Sequence, residues 1–256
     1  MRIITLNAWG GRSMHPLMRF FRHRKDQADV FCLQEVFDAD QAVLHARYPD
    51  EHLRGDMYRR IADELKDFEG AFARFEDDAD RMSLAVFVRK TLPVAAVEDF
   101  IVHVPPKPMD DGKIVLSSRK LQTVRVQREG GDLLIANFHG LWVNGPKTDT
   151  PERLDQSRSV AAALKRHAGP KVLCGDFNLL PFTDSVRLLE DEADLRNLVI
   201  ESGMPSTRTP LYRHYDNPAE PNFADYILSS PELRVERFEV LPDLVSDHAP
   251  LYAEFA

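Results

Sequence analysis

The sequence predicts one α/β domain in which two packed β-sheets lie between outer helices. Short apolar segments with strand character outnumber segments with helical spacing. Both hairpin-like pairs and strand–helix–strand links occur along the chain, and this mixture favours two sheets with helices outside them. No break in composition and no repeat period divides the 256 residues, so a single domain over residues 1–256 is expected.

The N-terminal part of the chain is expected to alternate strands with amphipathic helices. A short apolar strand at residues 3–6 runs into a Gly-Gly turn, and apolar residues then recur at helical spacing as far as Ala28. Residues 29–36, "DVFCLQEV", form a second apolar strand with a polar end. From Met57 to Phe68 apolar residues again recur at helical spacing, which predicts a second amphipathic helix.

The middle of the chain contains the clearest hairpin. "SLAVFVRK" and "DFIVHV" are predicted strands, and residues 105–113, "PPKPMDDGK", are a loop by composition. "KLQTVRVQREGGDLLIANFHG" then predicts two antiparallel strands that turn at a pair of glycines.

The C-terminal part begins with a well-marked helix. In "TPERLDQSRSVAAALKRH", Thr150 can cap the helix and Pro151 suits its first position. "KVLCGDF" is a predicted strand, and a short helix is expected from about Thr183. Three further strands are predicted at "ADYILSS", "RVERFEVL" and "LYAEF".

The net charge of −8 limits the class of partner. It provides no electrostatic footprint for tight, nonspecific binding to duplex nucleic acid. A phosphate substrate is compatible with this charge, because a bound divalent cation can supply a positive field locally. Cys32 and Cys174 lie in apolar strands and are expected to be buried thiols, not a disulfide or a metal pair.

The N-terminal sequence "MRIITLNAWGG" shows no signal-peptide pattern, and no apolar run approaches the roughly 18 residues of a membrane-spanning helix. We therefore expect a cytoplasmic protein without a membrane span. Nothing in the sequence implies an obligate protein partner.

Polar side chains recur at the ends of the apolar strands, where rigid scaffolds tend to carry catalytic groups. One such residue alone is typical of a cap or a solvated rim, but the set is larger than structural roles require. Its members are Asn7, Gln34, Glu35, His139, Asp176, Asn178, Asp225, Asp247 and His248.

This set suits metal-assisted phosphoryl transfer to water. Magnesium needs one or two protein carboxylates together with the substrate phosphate, and Glu35 fits that role. Asp176 can orient or deprotonate the water, and Asn178, two residues further along an extended strand, would face the same way and donate to the phosphate. His248 can donate as well, with Asp225 or Asp247 fixing its tautomer.

The motifs "TLNAW", "LQEVF", "NFHG", "CGDFN", "ADYIL" and "SDHAPL" occur in this order between residues 5 and 251. The series resembles that of the endonuclease/exonuclease/phosphatase superfamily, which includes deoxyribonuclease I, abasic-site endonucleases, neutral sphingomyelinases, inositol phosphatases and deadenylases. "GDFN" followed by a C-terminal "SDH" is the most specific part of the resemblance.

The resemblance implies a fold, a cofactor and a set of roles. The fold is a four-layered α/β sandwich of the deoxyribonuclease I type, with two mainly antiparallel β-sheets flanked by helices. The activity is divalent-metal-dependent phosphoester hydrolysis, with magnesium as the metal and manganese as a substitute. Glu35 is then the main metal ligand with Asn7 beside it, and Asp247 neighbours both. Asp176 activates the water, Asn178 and His139 contact the phosphate, and Asp225 supports His248.

The sequence departs from the abasic-endonuclease pattern at two points. Those enzymes carry an acid two residues after the asparagine, where this chain has Trp9, and the segment after His139 lacks their tyrosine-containing stretch. Both departures argue against abasic-site cleavage. The chain is more similar to uncharacterised bacterial members of the superfamily.

The expected substrate is a phosphodiester in a nucleic acid or a nucleotide. Trp142 and Asn144 are the candidate substrate contacts, and residues 208–215, "RTPLYRHY", are a candidate basic groove. A phospholipid, sphingomyelin-type or inositol-phosphate hydrolase is the alternative, and the acidic surface mildly favours it. A catalytically dead binding scaffold is the third reading, although the intact set of acids, amides and histidines argues against it.

Overall fold

The computed structural model describes residues 1–76, 78, 80–104, 118–143, 145–217 and 221–256. The predicted loop at residues 105–113 and the candidate contact Asn144 lie outside the described residues. Two six-stranded sheets pack against each other, with helices on their outer faces. The predicted four-layered α/β sandwich is confirmed.

The strands, in chain order, are β1 (Arg2–Asn7), β2 (Val30–Val36), β3 (Phe68–Phe72), β4 (Ser83–Arg89), β5 (Val94–His103), β6 (Arg119–Val126), β7 (Leu133–His139), β8 (Lys171–Asp176), β9 (Arg196–Asn197), β10 (Asp225–Ser229), β11 (Val235–Val240) and β12 (Leu251–Phe255). The α-helices are α1 (Met14–Arg24), α2 (Gln41–Arg47), α3 (Met57–Glu64), α4 (Pro151–Lys165), α5 (Asp184–Ala193) and α6 (Leu198–Ser202). Across the described ranges, none of these helices is long and apolar enough to cross a membrane.

The sheet order places two parallel pairs where they can carry a shared site. The first sheet runs β11-β12-β1-β2-β4-β3, and the second runs β5-β6-β7-β8-β10-β9. β1 pairs parallel with β2, β7 pairs parallel with β8, and the other pairs are antiparallel. Because parallel strands end at the same edge, the polar ends of β1 and β2 lie together, as do those of β7 and β8.

The strand alternation separates the two apolar cores. Ile3 and Cys32 face the second sheet, whereas Ile4 and Phe31 face α1 and α3 on the outside. Residues of α4 and α5 cover the outer side of the second sheet. Both cysteines are buried free thiols, as expected.

A buried polar bridge connects the two sheets between these cores. Gln34 Nε2 donates to Thr5 Oγ1 at 3.0 Å and to Asn137 Oδ1, on the opposite sheet, at 2.7 Å. Asn137 Nδ2 donates in turn to the carbonyls of Leu33 and Ala85, at 3.0 and 3.2 Å. The two amides therefore join the sheets through hydrogen bonds that run in both directions, although Gln34 Oε1 is buried without a partner among the described residues.

The structure corrects one predicted element and adds three short ones. The predicted second helix ends at Glu64, and Phe68 begins β3 on the edge of the first sheet. Leu65 and Phe68 keep helical spacing only because a turn joins them, in which Phe68 N donates to Leu65 O. The short elements α2, β9 and α6 lie in segments with no predicted element, being too short to show a period.

The remaining predicted elements agree with the structure. The hairpin is β6 and β7, and Thr150 caps α4 by accepting a hydrogen bond from the Arg153 N–H. Thr183 caps α5 in the same way, with its side chain accepting from Val186 N. The three C-terminal strands are β10, β11 and β12.

Candidate active site

The polar strand ends converge on one cavity of about 510 Å³. The floor of this cavity consists of Glu35, His139, Asp176, Asn178, Asp247 and His248. Asn7 and Asp225 lie behind this floor and hydrogen-bond to it. A second group of lining residues forms the cationic wall, which consists of Arg119, Lys147 and Arg208.

Glu35 reaches the cavity because β2 is irregular at its end. The pairing of β2 with β4 shifts register between Leu33 and Val36, and Glu35 has a φ of 53°. A bulge of this kind turns a side chain away from the strand alternation. Gln34 therefore enters the bridge between the sheets, whereas the next side chain, Glu35, enters the cavity.

Asp176 is placed by close contact between β7 and β8. A side chain at Gly175, which has a φ of 138°, would put its Cβ 1.9 Å from Phe138 O. Only glycine allows this approach. His139 and Asp176 are consequently register partners, with His139 Nε2 3.7 Å from Asp176 Oδ2 and 3.9 Å from Glu35 Oε1.

Hydrogen bonds from two sides hold the Asp176 carboxylate. Asn7 Nδ2, from the first sheet, donates to Oδ2 at 2.9 Å, and the Asn178 N–H donates to Oδ1 at 2.9 Å. Asn7 Oδ1 itself accepts from Trp9 N at 2.9 Å. Both ends of the Asn7 amide are thereby fixed.

Asn178 lies in the cavity for a reason other than the predicted one. β8 ends at Asp176, and Asn178 has a φ of 53°, so the alternation of an extended strand does not apply to it. A tight turn closed by Asp176 brings it back, and Asn178 Nδ2 donates to Gly140 O at 3.3 Å. Phe177 packs between Phe138 and Tyr226, as expected of a side chain on the opposite side.

His248 is paired with Asp225, which chooses between the two partners left open by the sequence. His248 Nδ1 lies 2.9 Å from both carboxylate oxygens of Asp225. Its Nε2 lies 3.6 Å from Asp176 Oδ2 and 3.9 Å from Asp247 Oδ1. The Nδ1 proton therefore points at Asp225, and Nε2 faces the cavity.

Asp247 is engaged by a cation of the wall. Arg208 Nη1 donates to Asp247 Oδ2 at 3.0 Å, and Ser246 Oγ donates to Oδ1 at 3.4 Å. Among the residues that the structure describes, two groups of acids and histidines lie close enough to share a metal, namely Glu35–His139–Asp176 and Asp176–Asp225–His248. Asp247 lines the same cavity but does not belong to either group.

The electrostatics of the floor separate its titratable groups. Burial, and then the charge of Arg119, lower the pKa of His139 to about 3, so this imidazole is neutral at physiological pH. Burial would raise the pKa of Asp176, but His248 and the other nearby cations outweigh it and hold that pKa well below its usual range. Burial and Arg208 oppose protonation of His248, yet the surrounding carboxylates Asp225, Asp176 and Asp247 raise its pKa overall.

The donor set at Glu35 fits a hard divalent cation. Burial raises the pKa of Glu35, and its one ion-pair contact among the described residues is the 3.9 Å approach to neutral His139. A carboxylate that is desolvated without a cationic partner is a suitable ligand, because an ion would supply the missing charge. Asn7, whose hydrogen bonding favours the charged form of Glu35, provides a second oxygen donor nearby.

The cationic wall is the part of the site that was not predicted. Arg208 was named in the sequence only as the first residue of the candidate basic groove at residues 208–215, and neither Lys147 nor Arg119 was singled out. Arg119 follows a glycine- and proline-containing segment, which reads as solvent-exposed, and Arg208 pairs with an acid 39 residues away. A buried arginine in a loop carries no local signal, because its burial depends on distant partners.

Trp142 lies at the cavity rim with 46% of its surface exposed. Its ring is therefore accessible to a substrate. Four residues of the predicted basic groove at 208–215 line the cavity, namely Arg208, Leu211, Tyr212 and Arg213, and the Arg208 side chain is 5% exposed. Binding of a substrate by this segment stays a prediction.

A family model described as the endonuclease/exonuclease/phosphatase family matches residues 4–248. The fold is similar to that of a mannosyl-6-phosphatase from Bacteroides thetaiotaomicron, with 18% sequence identity and a TM-score of 0.73 over 100% of this chain and 99% of that one. An endonuclease/exonuclease/phosphatase from Bacteroides vulgatus gives 17% identity and a TM-score of 0.73 over 100% and 98% of the two chains. The human Nocturnin catalytic domain, solved with a bound sulfate, gives 19% identity and a TM-score of 0.62 over 100% and 94%. No curated protein matches the sequence.

Proposed function

Because this chain belongs to the endonuclease/exonuclease/phosphatase family, it is an enzyme that hydrolyses phosphoester bonds, and we propose that Asp176 aligns the attacking water in a magnesium-dependent reaction. Members of this family depend on a divalent metal. Magnesium is proposed here because it binds carboxylate and amide oxygens and retains several waters, with manganese as a substitute. The expected localisation in the cytoplasm stays a prediction.

The observation that carries the proposal is the position of the Asp176 carboxylate. It is buried, accepts hydrogen bonds from Asn7 and Asn178, and faces both His139 and His248. Its depressed pKa keeps it ionised, so it acts as a fixed acceptor that orients a water molecule toward phosphorus. Such positioning is the main contribution a protein can make to phosphoryl transfer.

The remaining floor residues supply donors to the phosphate oxygens. His139 is neutral and carries one N–H, and the amide of Asn178 carries two. His248, held by Asp225, presents Nε2–H toward the cavity when it is protonated. These groups stabilise the charge that develops on the nonbridging and leaving oxygens.

The metal site proposed here consists of Glu35 and Asn7, with Asp247 at its edge. A divalent cation bound there would polarise the phosphoryl oxygens and neutralise their charge. Asp247 is the weakest part of this assignment, since Arg208 occupies one of its oxygens.

The expected substrate of the nuclease or nucleotide-phosphodiesterase type stays a prediction, with a phospholipid or inositol phosphate as the alternative. Hydrolysis of bis-p-nitrophenyl phosphate, nucleic acids, nucleotides, inositol phosphates and phospholipid headgroups compares these classes directly. Trp142 is proposed to contact the organic part of the substrate, because its exposed ring lies at the rim.

The mechanism is tested with EDTA and with Asp176→Asn. We expect EDTA to abolish hydrolysis and Asp176→Asn to lower kcat by about 10²- to 10⁴-fold, the range for a positioned acid–base group. Asp155→Asn, an exposed aspartate on α4, is the matched control and should leave kcat unchanged. Full activity in EDTA and in Asp176→Asn would overturn the mechanism. No hydrolysis of any phosphoester, with no stabilisation by Mg²⁺, would favour the scaffold reading.

A further inference from the structure

The cationic wall lines the same cavity as the floor, and the mechanism described above assigns it no contact with the substrate. Arg119 begins β6, and Lys147 and Arg208 lie on the loops after β7 and before β10. All three side chains line the same cavity as Glu35 and Asp176. The wall therefore meets the same ligand as the floor.

Lys147 and Arg208 are held against one aromatic ring. The Arg208 guanidinium carbon lies 4.5 Å from the centroid of the Tyr212 ring, and Lys147 Nζ lies 5.4 Å from it. Lys147 Nζ donates one hydrogen bond, to Phe223 O at 3.1 Å. The two cations are thus positioned beside each other, although like charges repel.

The loop that carries Lys147 is itself fixed from below. Arg153, buried on α4, donates through Nη1 to the carbonyls of Pro146 and Thr148 and through Nε to Leu141 O. Gln156 accepts from the Leu141 N–H at 2.8 Å. The wall is a built part of the site, because buried side chains determine its shape.

Donors on this wall remain available to a ligand. Arg119 Nε and Arg208 Nε are buried and have no hydrogen-bond partner among the described residues. Each of these arginine residues is at most 8% exposed, so bulk water does not compensate them fully. The fixed fork of a guanidinium suits phosphate oxygens. Buried donors without partners beside a phosphoester site indicate that the ligand has anionic oxygens in addition to those that the floor residues contact.

The charges at the site nearly cancel before a metal and a substrate bind. The carboxylates are Glu35, Asp176, Asp225 and Asp247. The cations are Arg119, Lys147 and Arg208, with Arg213 at the rim. Also at the rim, Arg12 and Glu51 form an ion pair that adds no net charge. A bound divalent metal ion therefore leaves the site with a net charge of about +2.

We propose that the cavity selects a compact phosphomonoester, bound as its dianion, over a phosphodiester, and that Arg119, Lys147 and Arg208 provide the selection. A phosphomonoester carries a charge of about −2 above its second pKa of about 6, whereas a diester carries about −1. The dianion matches the charge of the metal-loaded site, and its additional anionic oxygen gives the wall an acceptor. This inference rests on the proposed phosphoester hydrolysis, and it replaces the phosphodiester expected from the sequence with a phosphomonoester.

The reaction is then a phosphatase reaction. The water oxygen forms a bond to phosphorus as the bond from phosphorus to the alcohol oxygen breaks. That oxygen keeps the bonding electrons and takes up a proton derived from the water, so the products are inorganic phosphate and the free alcohol. The volume of about 510 Å³ suits a small organic group, with Trp142 and Leu211 at the rim available to its apolar surface.

The kinetic test compares p-nitrophenyl phosphate with bis-p-nitrophenyl phosphate in Mg²⁺. We expect the wild type to have at least about tenfold higher kcat/KM for the monoester, since a charge-assisted contact is worth that factor or more. Lys147→Gln keeps a donor for Phe223 O and should lose about tenfold or more in kcat/KM for the monoester, with a much smaller change for the diester. Lys165→Gln, an exposed lysine on α4, is the matched control.

A binding test is independent of turnover. Calorimetric titrations with inorganic phosphate and with dimethyl phosphate are made at pH 7.5, in EDTA and in Mg²⁺, for the wild type, Lys147→Gln and Arg208→Gln. We expect phosphate to bind the wild type more tightly than dimethyl phosphate, and each variant to weaken phosphate binding by about tenfold or more. Circular dichroism and the unfolding temperature verify that the variants are folded.

The two failures are distinguishable. Mg²⁺- and Asp176-dependent hydrolysis that prefers the diester, or that Lys147→Gln lowers equally for both esters, overturns the inference and leaves the proposed function standing. Selective binding of phosphate that depends on Lys147 and Arg208, in a protein that hydrolyses neither ester, supports the dianion site and overturns the proposed catalysis.

Discussion

Half of the cavity floor, namely Glu35, His139 and Asp176, lies at the ends of strands, whereas the cationic wall is formed largely by loops. On the floor, Asp176 and His139 are register partners in a parallel pair, and Gly175 keeps the backbones in contact. On the wall, Lys147 and Arg208 owe their positions to side chains such as Arg153 and Tyr212. The strand ends therefore position groups that are proposed to act in catalysis, and the loops position the cations that are proposed to select the phosphate.

The hydrogen bonding of the two regions differs in the same way. On the floor, both oxygens of Asp176 accept hydrogen bonds from neighbouring protein groups, and so do both oxygens of Asp225. On the wall, the Nε atoms of Arg119 and Arg208 lack partners within the described part of the chain. The Asp176 side of the floor is preorganised by its hydrogen bonds, whereas Glu35 and the wall carry groups that a metal ion or a ligand would complete.

Among the further substitutions on the floor, Glu35→Gln is expected to have the largest effect on activity. The substitution keeps size and hydrogen bonding but removes the charge that attracts a metal ion, so kcat/KM should fall by at least about 100-fold for every substrate. Millimolar Mg²⁺ should raise the unfolding temperature of the wild type and not that of the variant. Glu192→Gln, on an exposed part of α5, is the control. An unchanged Mg²⁺ response in Glu35→Gln would place the metal elsewhere.

A smaller effect on the floor is expected from Asp225→Asn. Asp225 positions His248 and favours its charged form, so the substitution should lower kcat by about 10- to 100-fold and lower the pKa of His248. The pH profile of kcat and the imidazole proton shifts in NMR spectra measure both effects, with Asp216→Asn as the exposed control. A lower kcat without any change in the His248 titration would contradict a positioning role.

The smallest expected effect concerns Lys147 of the wall and the free energy of unfolding. Burial, followed by the charge of Arg208, lowers the pKa of Lys147 to about 8 from its ordinary 10.5. The folded protein thus binds this proton less readily than the unfolded chain, so the destabilisation is complete below about pH 8 and disappears as pH rises to about 10.5. Lys147→Met should raise the free energy of unfolding at pH 7 by about 1–3 kcal/mol, and by less at pH 10.

Urea unfolding at pH 7 and pH 10 measures this difference, and Lys165→Met is the exposed control. The other charges facing Lys147 are Asp176, Asp225 and Asp247, which favour its protonated form. A variant less stable than the wild type at pH 7 would mean that contacts of Lys147 outweigh the cost of burying its charge. If Lys147→Met is more stable than the wild type but prefers the phosphomonoester less, Lys147 is retained for binding at a cost in stability.

The residues that line the floor could be recognised in the sequence because strand ends leave a local signal, and their roles stay predictions. An apolar run followed by polar residues marks Asp176 or Glu35 without knowledge of distant contacts, and the sheet order brings such ends together. The same reasoning could not choose between Asp225 and Asp247 as the partner of His248, because that choice depends on Arg208 occupying Asp247. The bulge at Glu35 and the turn at Asn178 could not be predicted either. Both depend on backbone geometry that the alternation of residues along a strand does not reveal.

The fold class was predicted correctly, and the wrong helix prediction at Phe68 also arises from a contact with a distant part of the chain. Phe68 continues a helical spacing by coincidence, but its aromatic side chain packs beside Phe31 from an edge strand. Pairing with β4 overrides the local pattern there.

The polar bridge between the sheets has a consequence for the whole enzyme. Glu35 belongs to one sheet and Asp176 to the other, and the hydrogen bonds of Gln34 and Asn137 join the two layers close beneath them. The bridge keeps the two sheets in position, because a slip of one sheet past the other would separate Glu35, the proposed metal ligand, from Asp176, which is proposed to align the water. We therefore expect catalysis to depend on the relative position of the two sheets. Activity would be lost on such a shift even if each sheet kept its own structure.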